Sequence, residues 1–271
     1  MTVGSAGFHH PQVRQARLLQ QKKHRAEQRC FLVEGATLVA AALDAGADLR
    51  VVFARSGADD VTAELISQIA QRGIAVRAVD ERALASLSET RTPQGVVAVA
   101  GYLHRDVAQL GSLLPAGAPC AVLVLHDLSD PGNAGTLIRC AEAFRASAVC
   151  FGPASVDPYN DKVVRASAGA LFRVPIARYA EWRVLAETLK QLGVAVVAAD
   201  AAGRDVRGAA LPARCALVVG NERHGLTGIA FQDIALRVAV PQSASVDSLN
   251  AGVAGAILLY EIARSIKILA S

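Results

Sequence analysis

With 271 residues, the chain is long enough for one large domain or two modest ones, each with its own core. It is 52% apolar but only 4% aromatic, with Ala, Val and Leu in alternating blocks, which excludes a disordered chain and favours an α/β protein over an all-β one. The net charge is only +4, yet Arg14, Arg17, Lys22, Lys23, Arg25 and Arg29 face a single acid, Glu27, near the start, and that local excess suits a polyanion or a solvated helix face equally well.

No apolar run approaches a membrane span, and even Ala251 to Tyr260 is brief and flanked by Asp247 and Glu261. The residues after Met1 lack the apolar core of a signal peptide, so a soluble, cytoplasmic protein is expected. The cysteines, Cys30, Cys120, Cys140, Cys150 and Cys215, have neither CxxC spacing nor neighbouring histidines. They read as reduced core thiols, with no metal site and no disulfide framework expected.

In chain order, residues 1 to about 9 read as loose, and a basic helix runs from Pro11 towards Arg29. Phe31 to Gly35 begins a strand, followed by Ala36 to Ala45 as helix, Val51 to Ala54 as strand, Asp60 to Gln71 as helix and Ile74 to Val79 as strand. Glu81 to Leu87 as helix and Gln94 to Tyr102 as strand close this half. The segment Leu103 to Pro119, with Gly111, Pro115, Gly117 and Pro119, reads as a linker holding at most one short helix. The expected division is therefore residues 1–106, a linker at 107–119, and a second domain at 120–271.

The second half alternates again. Strands are expected at Ala121 to Leu125, Ala148 to Phe151, Val194 to Ala199, Ala216 to Val219 and Leu236 to Val240. Helices are expected after Asp130, over Lys162 to Phe172 and Glu181 to Leu192, and from about Ser248 to Ile268. Near-continuous apolar strands imply a mostly parallel sheet covered on both faces, whose ligands bind outside the carboxyl ends of the strands.

Polar clusters fall at such ends. Asp130-Pro131-Gly132-Asn133-Ala134-Gly135-Thr136-Leu137-Ile138-Arg139 turns sharply after a buried strand, presents Asn133 in the loop, and sets Arg139 near the first turn of the helix. Gly220-Asn221-Glu222-Arg223-His224-Gly225-Leu226 has glycines bracketing a polar tetrapeptide, which permits a tight loop lined by backbone amides. Val240-Pro241-Gln242-Ser243-Ala244-Ser245-Val246-Asp247-Ser248-Leu249-Asn250 runs into Ala251-Gly252-Val253-Ala254-Gly255-Ala256. There Ser248 is the expected N-cap, and the small residues imply close packing, within the chain or at an interface. Singly, each cluster is an ordinary turn or capped helix.

Taken together, residues 130–139, 220–226 and Ser248-Leu249-Asn250 resemble the motifs of the SpoU (TrmH-like) family of RNA ribose 2′-O-methyltransferases, within the SPOUT superfamily. Asp157 to Phe172 is similar to the family's intermediate Lys…Arg-x-Ser-x-Gly helix. Phe31 to Gly35 and Thr92-Pro93-Gln94-Gly95-Val96 are similar to its N-terminal substrate-binding domain, which is ribosomal-protein-like. The resemblance implies an α/β chain with a C-terminal trefoil knot, a homodimer, and an S-adenosylmethionine site built from the two C-terminal motifs. By the same carry-over, Gly220, Asn221, Val240, Ser248 and Leu249 contact the cofactor, and Asn133, Arg139, Glu222, Ser248 and Asn250 surround the transfer site. Arg14, Arg17, Lys22, Lys23, Arg25, Lys162 and Arg165 are the candidate RNA-binding cations. No GxGxxG follows a strand, so the usual dinucleotide-type loop is missing. The chain departs from the family at Arg223, usually small, at Gln242, usually Met, at Ala244, usually Gly, and at Asp161, often Pro.

Methyl transfer to a ribose hydroxyl is an in-line displacement, so the protein must align the nucleophile and acidify it. A guanidinium is a poor formal base. Arg139 is therefore expected to bind a substrate phosphate and stabilise the developing alkoxide, with Asn133 orienting Arg139 or the ribose. Ribosomal RNA, at a housekeeping or an antibiotic-binding position, is the favoured substrate, with transfer RNA next. A non-catalytic assembly protein of the same fold, or a base-methylating relative, would lack this polar set.

Overall fold

The computed structural model describes residues 4–57, 59–90, 93–243 and 248–269. Thr92, Ala244 and Asp247, singled out above, lie outside them. The first half runs β1 (Gly4–Ala6), α1 (Pro11–Leu18), α2 (Lys22–Gln28), β2 (Cys30–Glu34), α3 (Ala36–Asp44), β3 (Leu49–Arg55), α4 (Asp60–Gln71), β4 (Ala75–Val79), α5 (Glu81–Ala85) and β5 (Val96–Gly101). The second runs β6 (Arg105–Asp106), β7 (Cys120–Leu125), α6 (Pro131–Ala143), β8 (Ala148–Phe151), α7 (Asp161–Ala166), β9 (Ile176–Arg178), α8 (Trp182–Gln191), β10 (Ala195–Asp205), β11 (Arg214–Val219), β12 (Ile234–Ala239) and α9 (Ala251–Ser265).

Contacts divide the chain into two compact units, residues 1–103 with 159–172, and residues 104–158 with 173–271. The first holds a sheet of order β1-β4-β3-β5-β2, parallel except where β5 pairs with β3 and β2. Residues 4–6 are thus an ordered edge strand, since Gly4 to Ala6 pair with Arg77 to Val79, and the expectation of a loose start fails there. The expected single basic helix is broken at residues 19–21. Arg25 is the reason: it is buried, and its guanidinium donates to the carbonyls of Leu19 (3.0 Å) and Gln20 (2.9 Å), groups the end of α1 would leave unpaired. α2 then stops at Arg29, whose φ of 50° is left-handed.

The segment 159–172, expected in the second domain, belongs to the first unit. Tyr159 is fully buried there, its ring 4.6 Å from Phe31 and 4.1 Å from Tyr102, while its hydroxyl accepts the Leu103 amide. The following α7 packs on β2.

The second unit is a sheet of order β12-β10-β11-β7-β8-β9-β6, parallel throughout. β7 and β11 are buried at nearly every residue, which is why they carry uninterrupted apolar runs rather than an alternating pattern. Residues 107–113, read above as linker, form a 3-10 helix that sinks Val107 and Leu110 into this unit's core. No helix among the described residues is long and apolar enough to cross a membrane. The described cysteines are free thiols, and burial pushes Cys150 and Cys215 up to about 12.

Candidate functional site

The carboxyl ends of β11 and β12 and the middle of β10 come together on one rim of the second sheet, the place a parallel sheet offers a ligand. A cleft of about 380 Å³ opens there. Val219, Val238, Val240, Ala254, Leu249 and Leu258 form its apolar wall. Asp200, Asn221, Glu222, Gln242, Ser248 and Asn250 supply polar groups. This mix of greasy wall and a few converging polar groups is what a small organic molecule requires. On the β10 side the register slips between Ala199 and Arg204, and the extra residues bulge so that Asp200 and Ala201 line the cleft. Arg237 clamps Asp200 by a salt bridge, its Nε lying 2.8 Å from the carboxylate.

The loop after β11 is closed on itself. The amides of Asn221 and Gly225 exchange hydrogen bonds with each other's carbonyls at 2.9 and 3.0 Å, and Asn221 Oδ1 accepts the amides of Arg223 and His224. Gly220 has to be glycine, because a Cβ there would fall 2.3 Å from the Gly225 carbonyl oxygen.

The turn before α6 meets this loop through one carboxylate. Glu222 Oε1 accepts the Asp130 amide (3.2 Å) and Asn133 Nδ2 (3.1 Å), while Oε2 accepts the Ser129 amide (3.3 Å) and hydroxyl (2.8 Å). Burial raises the Glu222 carboxyl, but the bonds from its own amide, Asn133 and Ser129 outweigh burial and hold it below the usual carboxylate range. Asp130, meanwhile, caps α6 by accepting the Asn133 amide at 2.7 Å.

The third motif arrives with α9. Its N-cap is Asn250, which accepts the Val253 amide at 3.1 Å, rather than the expected Ser248, which precedes the helix and lines the cleft. A Cβ on Gly252 would lie 2.8 Å from Asn133 Oδ1, and one on Gly255 2.8 Å from Leu137 Cδ2. The small residues therefore serve packing within the chain, of α9 against α6 and β11. Gly252→Ala is expected to cost about 1–3 kcal/mol, read as a lower urea midpoint at unchanged slope.

Asn133, Glu222, Ser248 and Asn250 are thus brought together, with Gly220, Asn221, Val240 and Leu249 beside them. Arg139 is not. It is the ninth residue of α6, not in its first turn, and about 120° around the helix from Asn133 by helical geometry. There it is exposed, does not line the cleft, and has no partner among the described residues. Since Asn133 is turned to Glu222, it does not orient Arg139 within the same chain.

Of the basic residues, Arg14, Lys22, Lys23 and Lys162 are exposed. Arg17 is half-buried, donating to the Phe8 carbonyl and lying 4.0 Å over its ring, and Arg25 is internal as described. Arg165 pairs with Asp161 at 2.6 Å. Those last cations are committed to the fold of the first unit. His126 and Tyr179, which belong to none of the motifs, are hydrogen-bonded to each other at 2.8 Å. Their only signal was a polar residue closing an apolar strand.

Residues 121–260 match the model of the SpoU rRNA Methylase family, and residues 10–98 that of the MRM3-like substrate binding domain. The chain is 30% identical to the 23S rRNA (guanosine(2553)-2'-O)-methyltransferase RlmP of Bacillus subtilis, over 90% of this chain and 92% of that one. It superposes on the AdoMet-bound rRNA methyltransferase from Sinorhizobium meliloti with a TM-score of 0.84 at 31% identity, covering 96% of each chain. The SpoU methyltransferase AviRb from Streptomyces viridochromogenes, solved with AdoMet, gives 0.82 at 26% identity, covering 94% of this chain and 97% of that one.

Proposed function

Because the chain belongs to the SpoU rRNA methylase family, we propose that it transfers a methyl group from S-adenosylmethionine to a ribose 2′-hydroxyl in structured RNA, with ribosomal RNA as the substrate. The observation that carries this reading is the single cluster at the carboxyl ends of the strands, where Glu222 ties the Asn133 turn to the loop that walls the cleft.

The residues fit the cofactor. Val219, Val240, Leu249 and Leu258 suit the flat adenine, the closed loop from Gly220 offers backbone groups, and the Glu222 carboxylate favours a cationic ligand. Gly220, Asn221, Val240, Ser248 and Leu249 hold it. When bound, S-adenosylmethionine supplies a methyl group on a sulfonium centre. Arg139 stands outside its own chain's cleft, so it acts at the cleft of the other protomer in a homodimer. There it binds a phosphate of the target nucleotide and stabilises the negative charge that grows on the 2′-oxygen, whose proton leaves to a phosphate oxygen or water. Asn133 fixes Glu222, and Asn250 holds the first turn of α9 against them.

The first unit, residues 1–103 with 159–172, acts as the RNA-selecting part, and the second, residues 104–158 with 173–271, as the methyltransferase part. Arg14, Lys22 and Lys162 are the exposed cations that meet phosphates, joined by Lys23 once it leaves its exposed 3.9 Å pair with Glu27. The trefoil thread is supported by β11 lying between β7 and the earlier β10.

The working unit is a homodimer, joined through the outer face of α9. Val253, Ile257 and Tyr260, one helical stripe, are 50%, 38% and 42% exposed. Ile257→Asp is expected to convert the dimer to monomer in size-exclusion light scattering with the helical circular dichroism kept. A variant that stays dimeric would move the interface elsewhere.

The direct test of function is transfer of labelled methyl from S-adenosylmethionine to ribosomal RNA and, separately, transfer RNA, followed by alkaline hydrolysis. Label in alkali-resistant dinucleotides from ribosomal RNA is the expected result. Label on a base, or none in either pool while the cofactor still binds, would overturn the reading.

A further inference from the structure

The polar group at the end of β7 has no place in the chemistry above, yet it is built into the support of the cleft. His126 continues the β7 pairing by one residue, its amide donating to the Val219 carbonyl at 2.9 Å, and its ring is buried at 4% exposure. Both ring nitrogens are engaged: Nε2 lies 2.9 Å from the Thr227 carbonyl oxygen and Nδ1 2.8 Å from the Tyr179 hydroxyl.

A carbonyl oxygen only accepts, so Nε2 carries a hydrogen, and Nδ1, the other ring nitrogen, accepts from the Tyr179 hydroxyl. Burial, then Cys150 and Asp127, push the Tyr179 phenol up, which keeps it a donor. Trp182 meets the histidine ring edge-on at 5.5 Å and is itself pinned by a 2.7 Å bond from its Nε1 to Asp233. Tautomer and ring orientation are both fixed.

We propose that His126 is a positioning residue for the cofactor loop, an inference that rests on the methyltransferase reading for the ligand's identity. Thr227 lies on the far limb of that loop, where its hydroxyl also donates to the His224 carbonyl at 2.8 Å. The neighbouring Asp127, held at a left-handed φ of 56°, gives its carbonyl to Asn221 Nδ2 at 2.8 Å on the near limb. Two consecutive residues thus grip both limbs of the segment that presents Gly220, Asn221, Glu222 and Gly225 to the cleft. His126 sets the loop before ligand arrives, so binding does not have to order it.

Four proteins test this: wild type, His126→Phe, His126→Gln and Tyr179→Phe. S-adenosylmethionine binding is read by calorimetry, and amide hydrogen exchange at Asn221 and Gly225 is read without ligand. His126→Phe is expected to weaken binding roughly tenfold, the worth of one ordered hydrogen bond, and to speed exchange at both amides. His126→Gln, whose side-chain amide can reach the Thr227 carbonyl, is expected to recover most of the affinity. Tyr179→Phe keeps that bond and loses only the lock on tautomer, so its effect is smaller. Unchanged affinity and exchange in His126→Phe, with only a lower melting temperature, would overturn the proposal and leave His126 a core residue. Absence of cofactor binding by wild type strikes the underlying reading instead, and the exchange comparison then still decides whether His126 holds the loop.

Discussion

Arg139→Ala is expected to lower kcat by roughly a hundred- to a thousandfold, the size of effect seen when a donor to developing negative charge is removed. S-adenosylmethionine affinity should stay within about twofold, as for a surface substitution away from the ligand. The separation follows from position, since Arg139 is exposed on α6 and contributes nothing to the cleft wall or to the Glu222 cluster. Arg139→Lys should restore little, because an ammonium cannot offer the guanidinium's planar pair of donors to phosphate. Single-turnover kinetics at saturating RNA checks this. If the loss lies only in RNA affinity, with the single-turnover rate intact, Arg139 anchors phosphate without helping the chemistry.

Glu222→Gln should act on both cofactor binding and turnover. The carboxylate accepts two hydrogen bonds on each oxygen, and an amide must turn its NH2 towards either the Ser129 or the Asp130 and Asn133 donors. The loop and the turn then part, with S-adenosylmethionine affinity expected to fall roughly ten- to a hundredfold, the worth of a hydrogen bond to a charged group. The same carboxylate sets a pH dependence. Its folded-state pKa is depressed, so its contribution is complete above the usual glutamate value of about 4.3 and disappears as pH falls through the lower folded value. Wild-type affinity should be flat from neutral pH down to the carboxylate range and then drop. The Glu222→Gln protein should lack that acid limb.

The polar set at the strand ends was legible because each member closes an apolar run, and a parallel sheet gathers such ends in one place. That rule places the three clusters, while the choice of Asn133, Glu222 and Asn250 within them comes from the resemblance to the SpoU motifs. Other features follow from tertiary partners and leave no local pattern. Arg25 reads as one more cation on a basic helix until the Leu19 and Gln20 carbonyls draw it inside and split the helix. Tyr159 and α7 read as part of the second half because nothing local says that Phe31 and Tyr102 will stack on that ring. Ser248 is as good a cap by composition as Asn250, and only the backbone path selects between them. Arg139 shows the limit most sharply: its place in a motif was readable, but the direction it faces depends on helix phase from the Asp130 cap.

The strand order also dictates when this protein can fold. β11 is inserted between β7 and β10, pairing Arg214 with Cys120 across some ninety intervening residues. Until β11 is made, β7 has a neighbour only on its β8 side and presents an apolar, unpaired edge. During synthesis that edge emerges early and waits for its partner, exposed to other unfinished chains. Refolding from denaturant should therefore be slow and concentration-sensitive. Shortening the chain before residue 214 should leave the first unit's sheet able to form while the second aggregates.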